Sequence, residues 1–115
     1  MASIAQVVDR TATRLGILAE GLTLPSYESA DLTEAYTEVY AQLDAKNLAV
    51  WDFDEPIPDE YVQHVVSLMA ISRANDYSIP NDKFQRVTVD ARMAIPEIRE
   101  LQAADAYQTP TPDYL

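Results

Sequence analysis

The chain has no cysteine among its 115 residues, only two glycines and one histidine, and eight basic residues against nineteen acidic ones. Without cysteine there is neither a disulfide framework nor a thiolate metal site. The two glycines, Gly16 and Gly21, do not form a glycine-rich loop, which excludes a phosphate cradle of the nucleotide-binding kind. No apolar run approaches the roughly 18 residues of a membrane-spanning helix, so no membrane association is expected. The opening MASIAQVVDR has no basic flank before its apolar residues, so no secretory leader is expected and the chain reads as cytosolic where it is made.

What is present is ordinary in amount and uneven in place. A hydrophobic fraction of 48% over this length suits one domain with one modest core. The net charge is −11, and residues 20 to 60 hold eleven acids and a single base, Lys46. That segment alone is −10, and the rest of the chain is nearly balanced. Such a surface repels nucleic-acid phosphates and disfavours tight, salt-sensitive DNA binding. Its plainest reading is a solvated face that keeps the protein in solution.

Four stretches have helical period. In SIAQVVDRTATRLGILAEG, Ile4, Val7, Val8, Leu15 and Leu18 share a face, with Ser3 as N-cap and Gly21 as the stop. In SADLTEAYTEVYAQLDAKN, Leu32, Ala35, Tyr36, Val39, Tyr40 and Leu43 repeat at three and four, and Ser29 is the expected N-cap. The third opens at IPDEYVQHVV with Pro58 in the first helical position, and from Val65 to Ile71 it is apolar on most sides, as a central buried helix is. The fourth carries Phe84, Val87, Ala91, Ile95, Ile98 and Leu101 in phase, with Pro96 inside it, where a kink or break is expected. Between the second and third, NLAVWDFDEPIP reads as a non-helical connection, irregular or strand-like near 48–57, where a short strand or edge hairpin could form. The expected fold is all-α: a four-helix domain over 1–106 and an extended C-terminal arm over 107–115.

Little in the chain resembles catalysis. Asp52, Asp54 and Glu55 lie close together, but a calcium loop of the EF-hand kind needs glycine and glutamate where Ile57 and Gln63 stand. The acids suit the approach to a helix N-terminus better, and no metal or cofactor is expected. His64 lies on an apolar helix with Glu60 as its only acid at helical spacing, and reads as structural. No serine stands in a nucleophile-elbow context and no HExxH pattern occurs, so no enzymatic activity is expected.

The aromatic residues are more informative. Tyr36 and Tyr40 belong to the core-facing stripe, with their hydroxyls at its rim. Trp51, in an acidic connection, suits a core plug and an interface anchor equally. The chain closes as YQTPTPDYL: Pro110 and Pro112 hold the backbone extended, while Tyr107, Tyr114 and Leu115 gain by burial. An extended strip with apolar side chains needs a receiving surface.

Taken together, the helix ending LGILAEGLTL, the acid-rich amphipathic helix after it, LAVWDFDEPIPDEYVQHVV and the proline-containing end resemble the small head-to-tail adaptor (neck or tail-accessory) proteins of tailed bacteriophages, over about residues 10–115. The resemblance implies a virion protein of the neck, made in the host cytoplasm. It implies a homo-oligomeric ring, as a rule a dodecamer, docked beneath the portal protein. A tail or nozzle protein would be received on its other end, and double-stranded DNA would pass through without specific binding. The arm residues Tyr107, Pro110, Pro112, Tyr114 and Leu115 would then meet the portal or a neighbour, with Trp51 as a further anchor. Glu28, Asp31, Glu34, Glu38, Asp52, Asp54 and Glu55 would line a channel or outer surface that phosphates do not adhere to. Two other readings share these features: an acidic protein that mimics DNA for a basic partner, and another small phage neck or capsid-associated protein.

Overall fold

A computed structural model describes residues 1–18 and 22–108, with side chains as far as Ala104. It contains four helices, α1 (Ile4–Leu15), α2 (Ser26–Ala45), α3 (Asp59–Arg73) and α4 (Asn81–Gln108), and no strand among the described residues.

The start of α1 is fixed locally. Ser3 Oγ accepts the Gln6 N–H at 3.2 Å and Gln6 Oε1 accepts the Ser3 N–H at 2.9 Å, a reciprocal capping box. Its end is Gly16, not the expected Gly21, which lies outside the described residues. Gly16 has φ 80°, its N–H donates to Thr13 O, and the Ile17 N–H reaches back to Ala12 O. The left-handed position that a Schellman turn requires is filled by the first glycine encountered. Leu18 therefore lies beyond the helix, half-buried against the core.

A similar correction applies to α2. Pro25, with φ −56°, occupies the cap position without a side-chain bond, and Ser29 lies one turn inside, its N–H donating to Pro25 O at 2.9 Å. The predicted stripe holds: Leu32, Ala35, Tyr36, Val39 and Leu43 are buried and Tyr40 is half-buried. Asn47, at φ 60°, ends the element, and the Leu48 N–H bonds back to Leu43 O at 2.7 Å.

The connection expected near 48–57 to be irregular or strand-like is irregular, with no strand in it. Ile57 alone forms an antiparallel bridge, to Ala2, through bonds of 2.8 and 3.0 Å. Pro56 and Pro58 on either side have no N–H to extend a ladder. Pro58 stands one position earlier than expected, as the cap of α3.

The central buried helix is α3, as expected. It packs against all three others, while α2 lies on α1 and α3, and α4 chiefly on α3. Val65, Val66, Ser67, Met69 and Ala70 are buried in sequence order around it. Of the kink or break expected at Pro96, a break does not occur: α4 continues through it. Pro96 and Arg92, whose carbonyl loses its helical partner, are both exposed, so this turn of the helix lies at the surface. The helix also includes Tyr107 and Gln108, two residues past the expected boundary.

Candidate functional site

Two flanks of the bundle carry the features that a partner could read. The first is α2 with the connection that follows it. Tyr36, on the buried stripe of α2, accepts a hydrogen bond from Trp51 Nε1 at 3.0 Å, and Tyr40, one turn on, donates to Trp51 O at 2.7 Å. Ring contacts reinforce these bonds: Phe53 lies 5.6 Å from Tyr36 and 5.4 Å from Tyr40, and Trp51 lies 5.4 Å from Tyr61 on α3. Trp51 is only 6% exposed, so of its two readings the structure takes the core plug over the interface anchor. The Tyr36 hydroxyl is interior rather than at the rim, because the indole N–H supplies the partner it needs there.

The aromatic cluster fixes the connection and leaves its carboxylates outside. Asp52, Asp54 and Glu55 are all exposed. Glu55 folds back on Asp52, its N–H donating to Asp52 O at 3.0 Å and its Oε1 accepting the Asp52 N–H at 3.2 Å. The acids thus cap a turn. Among the described residues no group of three His, Cys, Asp or Glu side chains is disposed to hold a metal ion.

The acids of α2 divide into two sets. Asp31 and Glu38 are taken by Arg73 at the end of α3: Nε lies 3.1 Å from Asp31 Oδ1, and the two terminal nitrogens lie 3.2 Å from the two oxygens of Glu38. Tyr77 adds a 2.8 Å bond to Asp31 Oδ2. Glu34 and Asp44 are exposed and outside this network, and Glu28, half-buried, accepts from the Tyr27 hydroxyl. Sequence reading grouped these carboxylates as one surface. It missed Arg73 and Tyr77, which are separated from Asp31 by 42 and 46 residues, beyond any helical spacing.

The titration of the site follows its packing. Burial raises Tyr36 above the ordinary tyrosine value, partly offset by the bond from Trp51. Burial, then the nearby Asp44 and Asp52, raise Tyr40. Burial, then the bond to Asp31, raise Tyr77 further. The bonds to Glu38 hold Arg73 above its already high value despite its partial burial.

The second flank is formed by α1 and the first half of α4. Arg14 ties three helices together, reaching Ser67 Oγ at 2.8 Å, Gln63 Oε1, and Asp90 Oδ2 at 3.9 Å. Arg10, Lys83 and Arg86 are exposed on α1 and the first half of α4, two stretches in which bases outnumber acids. Lys83 Nζ lies over Gly16, at the negative end of the α1 dipole. His64 pairs with Glu97 of α4, Nδ1 to Oε2 at 3.4 Å, rather than with Glu60. Its ring is mostly covered, as a structural role requires. The arm residues Pro110, Pro112, Tyr114 and Leu115, and the side chain of Tyr107, lie outside what the structure describes. No helix among the described residues is long and apolar enough to cross a membrane. No family model, characterised protein or solved structure matches this chain.

Proposed function

We propose that this chain is a structural protein of the virion neck: a head-to-tail adaptor whose copies form a ring beneath the portal and continue the DNA channel toward the tail. The observation that carries the reading is the rigid acidic flank. Glu34, Asp44, Asp52, Asp54 and Glu55 are exposed on α2 and on a connection locked by Tyr36, Tyr40 and Trp51. Repeated around a channel, the carboxylates of the connection, Asp52, Asp54 and Glu55, give a wall that repels phosphates and lets the genome slide. In this reading the segment after α4 is the docking arm. Its prolines restrict the unbound chain, so seating it on a portal loses less entropy than a freely flexible tail would.

The test is native mass measurement of the purified protein with and without its cognate portal ring, for the full chain and for a chain ending at Gln108. The expected result is a portal-bound ring for the full chain, and loss of binding with an unchanged melting temperature for the truncated one. Full-strength binding without the arm, or no binding by the intact chain, overturns the adaptor role. If the protein instead binds basic DNA-binding proteins, with affinity lost steeply in salt, the DNA-mimic reading takes its place.

A further inference from the structure

We infer that the outward strip of α4 is a docking face for the acidic flank of α2 on a second copy of this chain. The inference deepens the ring reading and rests on it; what it adds is which two faces meet and in which sense.

The strip is an anomaly on a free surface. Val89 is 57% exposed and Met93 51% exposed, one turn apart on a helix that packs chiefly on α3. Pro96 continues the line, and Arg92 and Arg86 border it, both exposed. An apolar line between exposed guanidinium groups suits a partner with short side chains and carboxylates. The outward face of α2 has this character. Ala30, Thr33, Thr37 and Ala41 surround Glu34 there, and Asp44 lies toward the end of the helix. Thr33 and Thr37 already give their hydroxyl protons to Ser29 O and Thr33 O within their own helix. Covering them therefore strands no donor, and desolvation costs little.

The two faces do not meet within one molecule, since α2 and α4 both pack on α3 and share no extensive contact with each other. A contact between unlike faces on different copies is heterologous, and it repeats head to tail until it closes as a ring or runs on as a filament. Charge complementarity selects this pairing over the symmetric one, since α2 against α2 sets carboxylate against carboxylate.

The test uses the full-length protein at high concentration and low salt, with sedimentation and native mass as readouts. One variant carries Glu34→Lys and Asp44→Lys, the other Arg86→Glu and Arg92→Glu. All four sites are exposed or border the strip, and circular dichroism checks that each variant folds. The wild type is expected to associate beyond the monomer and to dissociate as salt screens the contact. Each variant alone is expected to lose association about tenfold or more, and the two mixed are expected to recover it, because every interface then joins opposite charges. Val89→Gln with Met93→Gln weakens association without changing its salt dependence. A monomeric wild type, an unaffected variant, or a mixture that stays monomeric overturns the assignment of these faces. Portal binding by the intact chain decides the adaptor role separately.

Discussion

The bond from the Trp51 indole to the Tyr36 hydroxyl holds the acidic connection against α2, and its strength is measurable. Tyr36 is fully buried, Trp51 nearly so, and the two atoms are 3.0 Å apart. Tyr36→Phe removes the acceptor and leaves the indole N–H buried without a partner, a loss of about 1–3 kcal/mol. That is a substantial part of the roughly 5–15 kcal/mol that holds a domain folded. Trp51→Phe removes the donor and part of the packing. In that background Tyr36→Phe is expected to cost under about 1 kcal/mol, because no buried donor is stranded. The coupling energy of the cycle is then about 1–2 kcal/mol, above the few tenths at which independent sites add. Tyr40→Phe is the internal control, since its hydroxyl donates to the backbone carbonyl of residue 51, which every variant retains. Its cost is expected to be equal in both backgrounds. Denaturant titration followed by far-ultraviolet circular dichroism is the assay, since Trp51 is the only tryptophan and its fluorescence is lost in half of the cycle. A Tyr36→Phe cost that is the same with and without the indole refutes the bond as the clasp of the connection.

Leu43→Ala is expected to lose about 2–5 kcal/mol in the same titration, whereas Leu68→Ala, half-buried, is expected to lose less; the reverse order overturns the helix phases. The fold is expected to weaken in alkali. Tyr36, Tyr40 and Tyr77 are all raised above 10.0 when folded, so above that pH the unfolded chain releases tyrosine protons first and binds fewer than the native state. Their contribution is complete below the ordinary tyrosine value and lost as pH rises through the raised ones; a denaturation midpoint that does not fall there refutes it. Arg73→Met is expected to destabilise measurably, with much of that loss relieved by Asp31→Asn, because the variant leaves Asp31 and Glu38 facing each other without their cation. Calcium or magnesium is expected to leave the melting temperature unchanged apart from general ionic effects, and a saturable rise abolished by Asp52→Asn and Asp54→Asn would restore a metal role for the connection.

What the sequence made legible was whatever depends on spacing along one helix. The α2 stripe from Leu32 to Leu43 and the apolar girth of α3 both follow from period, and both are buried as expected. The capping of Ser3 was legible for the same reason, since its partner is three residues away. Misreadings arose where two local rules competed. Either glycine could have ended α1, and only the chain path decides that Gly16 takes the left-handed turn. Pro96 breaks a helix whose carbonyl is buried, but here the affected turn faces water. The long-range partners left no sequence signal. Nothing near Trp51 announces that a tyrosine hydroxyl fifteen residues earlier will satisfy its N–H, and the pairing of Arg73 with α2 appears only once two helices lie side by side.

Arg73 also changes how the charge of the segment is to be understood. By composition residues 20–60 are a nearly unbroken block of negative charge. In the fold, Asp31 and Glu38 spend their charge on one buried-edge guanidinium, and that bond positions α2 against α3. Among the described residues of the segment, the exposed carboxylates outside ion pairs are those of Glu34, Asp44, Asp52, Asp54, Glu55 and Glu60. A chain of net charge −11 repels its own copies, and closing a ring brings those copies together. The proposed pairing of α2 with α4 meets that difficulty at each junction, since it sets Glu34 and Asp44 near Arg86 and Arg92 of the next copy. The connection acids remain unpaired in such a ring and supply the phosphate-repelling surface. In the proposed ring, assembly and free passage of DNA would therefore draw on different carboxylates: reversing Glu34 and Asp44 is expected to disrupt the ring, whereas neutralising Asp52, Asp54 and Glu55 is expected to leave the ring intact and make it retain DNA at low salt.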